Sequence, residues 1–147
     1  MDWITESKKI FATNKPAHFT DYLHCDECKE HDQTLLGSSI ENISLNELGN
    51  PGWDPISFSN DDGKRYFMPA LIRLSLETIN AELYFSQLLF HLESDGPKNS
   101  LVVSCTPEQR HFIALFIAHM LDQYPEQIDK NAITEETFAV YQIWSET

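Results

Sequence analysis

Positive charge is scarce in this chain. Ten Lys and Arg stand against 23 Asp and Glu over 147 residues, a formal net charge of −13. Residues 1–74 hold seven basic and twelve acidic side chains, residues 75–147 three and eleven, and the only local basic clusters are Lys8-Lys9 and Lys64-Arg65. Nucleic acids and anionic membrane surfaces both demand clustered Lys and Arg, so neither is expected as a direct ligand. Glycine is scarce too, at five residues, leaving little material for a phosphate-cradling loop or a dinucleotide-binding turn. Neither G-x-S-x-G nor H-E-x-x-H occurs, and the many carboxylates fall into no recognisable catalytic spacing. No apolar run reaches the ~18–20 residues that cross a bilayer, and Met1-Asp2-Trp3 lacks the basic start of a secretory signal. A cytoplasmic protein is the expectation. The three cysteines, two of them in one C-x-x-C, are no disulfide framework and suit a reducing compartment.

What is present is helical patterning. With 41% hydrophobic and 12% aromatic residues, the chain reads as a single globular domain over 1–147 with a core of its own. Asp2 is placed to cap a helix over residues 2–11, and Pro16 ends that stretch. Residues 22–36 have helical spacing and close at Gly37. Ser44 and Glu47 form a capping-box pattern ahead of a short helix, and the Pro/Gly-rich residues 49–55 read as loop. Residues 56–58 and 64–67 flank Asp61-Asp62-Gly63, a β-hairpin signal. Helices are then predicted from Pro69 to Ile79 and from Ala81 to Glu93, and Leu101-Val102-Val103 reads as a short strand or buried extended piece. Thr106-Pro107-Glu108-Gln109 is the clearest helix start, opening a core helix that Pro125 limits. A last helix begins at Thr134 and carries Phe138, Tyr141 and Trp144. The sum is a predominantly helical α+β fold: about six helices and one small hairpin near residues 56–67.

One constellation carries chemistry. His18, His24, Cys25, Cys28, His31 and Asp32 fall within fifteen residues. Zinc takes about four soft or borderline ligands, and C-x-x-C is a common half of such a set. On a helix, His24, Cys28 and His31 make a single-face triplet through steps of four and three, and His18 from the preceding loop would complete the shell. The competing reading is packing: Cys25, Cys28, Asp32 and Leu35 also form an amphipathic face, and free thiols behave as small hydrophobes. A redox C-x-x-C is a third reading, which wants the motif at a helix start after a strand; no strand is predicted there. His111 and His119, eight apart on one helix, read as surface histidines. Trp53, in Gly52-Trp53-Asp54-Pro55, is a candidate contact anchor or a lid pinning its own loop.

The ordered set His24-Cys25-x-x-Cys28-x-Glu30-His31-Asp32, Asn50-Pro51-Gly52-Trp53-Asp54-Pro55, Pro69-Ala70-Leu71-x-Arg73-Leu74 and Thr106-Pro107-Glu108-Gln109-Arg110 resembles a small bacterial domain family of unknown function. The resemblance runs from about His18 to Leu121 and implies a compact cytoplasmic domain; it brings no catalytic residues with it. Two functions are therefore expected from the residues themselves. The first is a non-enzymatic acidic helical domain that binds a protein partner, a basic one by charge, with Trp53 as anchor. An immunity or mimic protein that neutralises a basic enzyme is a special case of it. The alternative is a zinc-binding domain, structural or metal-dependent in activity, using His18, His24, Cys25, Cys28 and His31.

Overall fold

The computed structural model describes residues 1–146, and among these every regular element is a helix. Nine are α-helices: α1 Trp3–Ile10, α2 Asp26–Leu36, α3 Leu45–Leu48, α4 Asp61–Glu77, α5 Phe85–Glu93, α6 Ser100–Ser104, α7 Pro107–Gln123, α8 Pro125–Lys130 and α9 Thr134–Ser145. Three short 3-10 turns join them, two of them consecutive over Pro51–Trp53 and Pro55–Phe58. The fold is all-helical rather than α+β, with more helices than the six expected.

The hairpin is absent, and its residues begin α4 instead. Asn60 caps the helix, its side chain accepting from the Gly63 amide at 2.8 Å, and Asp61 and Asp62 sit favourably at the positive end of the dipole. Gly63 serves close packing rather than a left-handed turn. A Cβ there would lie 2.5 Å from Phe19 Cδ1 and closer still to Ser59 Oγ. Gly63→Ala is accordingly expected to destabilise the fold by about 2–3 kcal/mol despite alanine's better helix propensity, checked by urea unfolding. A stabilised variant would show that the Phe19 contact yields freely. Pro69 lies in the interior of α4, not in its first turn. It forfeits a helix hydrogen bond, which burial of Phe67, Met68, Ala70, Leu71 and Ile72 around it offsets.

Other local signals do appear as elements. Asp2 caps α1 through Thr5, with N–H and hydroxyl both donating to its carboxylate. The Ser44/Glu47 and Thr106/Gln109 capping boxes are both formed. Residues 101–103 are helical, because the buried Asn99 carboxamide oxygen accepts from the amides of Leu101 and Val102 and so caps α6. Pro125 limits α7 and opens the short α8, a helix the sequence reading omitted.

One hydrophobic core joins these elements. The central helix α7 packs against α1 and α9, and α4 against α1, α5 and α6. Trp3 seals α1 onto α7 by ring contacts with Phe112 and Phe116, centroids 5.4 Å apart in both cases. Trp144 closes α9 over α5, its indole N–H donating to the Leu92 carbonyl at 2.9 Å. No helix among the described residues is long and apolar enough to cross a membrane.

Residues 18–20 tie α2 to the start of α4. The Asn60 amide donates to the Phe19 carbonyl at 2.6 Å and its side chain to the His18 carbonyl at 3.1 Å. On the other side, the Phe19 and Thr20 amides donate to Asp32 Oδ1, at 2.6 and 3.1 Å, and Thr20 Oγ1 donates to the Cys28 carbonyl at 2.6 Å. The first turn of α2 is thus pinned to the body of the domain from beneath.

Candidate metal centre

That pinned turn carries the cysteine motif. Helix α2 starts at Asp26, later than the expected 22–36 span, because Cys25 is its N-cap in extended geometry. The Cys25 sulfur takes the place of a serine oxygen, accepting from the Cys28 amide at 3.3 Å. His24 lies in the turn just before, where its amide donates to the Asp21 carbonyl. A His24 ring nitrogen, Cys25 Sγ and Cys28 Sγ consequently lie within 4.8 Å of one another. Cys25 Sγ and Cys28 Sγ are 3.0 Å apart, and Cys28 Sγ is 3.7 Å from His24 Nδ1. His24 and Cys25 are exposed and Cys28 is half-buried.

The two thiols differ. The Cys25 thiol sits below its ordinary value because the Cys28 thiol donates to its sulfur, helped by the Cys28 amide and His24. The Cys28 thiol is pushed up to about 11, first by that same bond to Cys25, then by burial and the nearby charges of Cys25, Asp21 and Glu27. His24 is raised by its hydrogen bond to Cys25 and by the charges of Cys25 and Asp21. The third cysteine, Cys105, belongs to no such group: it is buried, and burial pushes its thiol up to about 11 against the pull of Arg65 and Arg110.

His18 and His31, candidates by spacing, stand apart from this group. His18 Nδ1 pairs with Asp32 Oδ2 at 2.8 Å, and its ring stacks on Tyr22 at 3.8 Å. The Asp32 carboxyl, with its second oxygen on two backbone amides, supports α2 rather than a ligand. Burial raises its pKa, but the His18 bond and the Phe19 and Thr20 amides outweigh this and leave it below its ordinary value. His31 is fully buried between Trp53 and Phe58, with centroids 4.5 and 4.3 Å away, and neither ring nitrogen has a hydrogen-bond partner among the described residues. Its nearest acid is Glu27, 3.7 Å from Nε2. Trp53 keeps 40% of its surface exposed while covering His31, so it is partly lid and partly free.

A second polar cluster had no sequence signal. Asp54 caps the turn Pro55–Phe58 through the Ile56 amide at 2.9 Å. Its other oxygen accepts from Tyr84 Oη at 3.0 Å, Gln87 Nε2 at 2.9 Å and His91 Nε2 at 3.0 Å, all buried. Burial, the Asp54 charge and this hydrogen bond raise the Tyr84 hydroxyl well above its usual value. The carboxylate is fully engaged, so the cluster reads as a brace between the 51–58 turns and α5. His111 and His119 share α7 but form no ion pair with a carboxylate among the described residues; the His119 ring lies tilted against Trp3, centroids 5.0 Å apart.

No family model, curated protein or solved structure matches the chain. The site therefore rests on its own geometry.

Proposed function

We propose that this domain binds a zinc ion through His24 Nδ1, Cys25 Sγ and Cys28 Sγ. The observation that carries the reading is the mutual proximity of one donor from each of these residues, all within 4.8 Å. Tetrahedral zinc with Zn–S near 2.3 Å and Zn–N near 2.05 Å sets its sulfurs about 3.8 Å apart and sulfur from nitrogen about 3.6 Å. The His24 to Cys28 spacing, 3.7 Å, already suits that geometry, and the two sulfurs need to part by only ~0.8 Å from 3.0 Å. Two thiolates and an imidazole match zinc better than calcium or magnesium, which take oxygen ligands. The Cys28 amide on Cys25 Sγ orients that sulfur, and the Thr20 bond to the Cys28 carbonyl holds the next turn.

Three protein donors leave one tetrahedral position for water or for a donor from another molecule. The ion would clip the 21–24 turn to α2 on the surface of the domain, in a reducing compartment such as the cytoplasm where both thiols stay free. Titration of the reduced, metal-free chain against a chromophoric zinc chelator is expected to give one zinc per chain. Cys28→Ser should weaken binding by roughly 100-fold or more, and Cys105→Ala should leave it unchanged. Binding well below one ion per chain, or a Cys28→Ser variant that binds as the parent does, would overturn the reading.

A further inference from the structure

We infer that Cys25 and Cys28, when free of metal, act as a dithiol that exchanges with external disulfides. The inference needs the sulfur geometry and not the ion, so it stands or falls apart from the zinc reading. Four features of the site carry it. The sulfurs lie 3.0 Å apart, so a disulfide requires them to approach by only ~1 Å. Cys25, the more exposed of the two, caps an eleven-residue helix, where a thiolate gains from the helix dipole. The Cys28 amide already donates to its sulfur, at 3.3 Å. Finally, Cys28 stands on a turn pinned by Thr20, so it stays poised beside whatever Cys25 has bonded to.

The Cys25 thiolate attacks one sulfur of an external disulfide; that S–S bond breaks, and one thiolate leaves and takes a proton from solvent. Cys28, 3.0 Å from Cys25 Sγ, then loses its proton to solvent and attacks that sulfur. The Cys25–Cys28 bond forms as the mixed disulfide breaks and the second thiol departs. The protein loses two electrons and two protons, and the external disulfide gains both. The buried Cys105 takes no part. Because the sulfurs of a disulfide are no longer anionic donors, the oxidised pair could not hold a zinc ion as thiolates do.

The test uses the metal-free chain, oxidised glutathione and intact-mass spectrometry. The parent is expected to lose two hydrogens without retaining glutathione. Cys28→Ser should trap a stable glutathione adduct on Cys25, and Cys25→Ser should form an adduct on Cys28 at least tenfold more slowly. Circular dichroism checks that both variants fold. A parent that keeps both thiols, or folded variants that form adducts at equal rates, would overturn the inference. A chain that oxidises in this way yet fails to take up zinc would sink only the metal reading, and the converse result only this one.

Discussion

Asp54→Ala is expected to be among the most damaging single substitutions in this protein, lowering stability by about 3–5 kcal/mol in urea or thermal unfolding. One carboxylate oxygen accepts three buried donors, from Tyr84, Gln87 and His91, and the other holds the Ile56 amide. Alanine leaves all four without their acceptor where almost no water reaches, and each stranded donor costs about 1–3 kcal/mol, reduced by partial relaxation. Gln87 has a partial refuge, since its Nε2 also donates to the Leu48 carbonyl at 2.7 Å. His91 and Tyr84 have a weaker one in each other, with His91 Nε2 3.5 Å from Tyr84 Oη. Asp54→Asn should be milder: its amide oxygen can keep Ile56, the Tyr84 hydroxyl and the other His91 tautomer can accept from its NH2, and only Gln87 Nε2 is left facing a donor. A loss below about 1 kcal/mol for Asp54→Ala would show that water enters and replaces the carboxylate.

The same cluster marks how far the sequence could be read. Asp54 reads only as part of the Pro/Gly-rich loop, and nothing in the spacing of Asp54, Tyr84, Gln87 and His91 announces that they meet. Signals that involve only neighbours along the chain were legible: the Asp2 cap, and the boxes at Ser44/Glu47 and Thr106/Gln109. Asn60-Asp61-Asp62-Gly63 suits a hairpin turn and a helix start equally well. What selects the helix is tertiary, namely the Phe19 ring seated against Gly63 and the bonds from Asn60 to residues 18 and 19. At the candidate site the chemistry of His24, Cys25 and Cys28 was visible, but their assembly was not. The i, i+4 helical face that would join His24 to Cys28 does not exist, since His24 precedes the helix and a turn brings it back. His31 does lie on α2, but it turns inward because Trp53 and Phe58 dock there.

Asp32→Ala is expected to cost about 2–4 kcal/mol and to weaken zinc binding as well, although Asp32 touches none of the three proposed ligands. Its two oxygens hold the amides of Phe19 and Thr20 and the imidazole of His18, and it is nearly fully buried. Without it, residues 18–20 lose their tie to α2, and the Thr20 bond that steadies the Cys28 carbonyl goes with them. The folded-state carboxyl titrates below its ordinary value, so its contribution is complete above about pH 4 and is lost as pH falls through the folded value. The stability difference between parent and Asp32→Ala should accordingly shrink in acid, whereas a mere packing defect would leave it constant. Zinc affinity measured at neutral pH should fall by roughly 10-fold, the scale of lost outer-shell support, and Asp32→Asn should recover part of it by keeping one acceptor for the two amides. An Asp32→Ala variant with parental zinc affinity would mean that the metal site is built by residues 21–28 alone, independent of the brace beneath it.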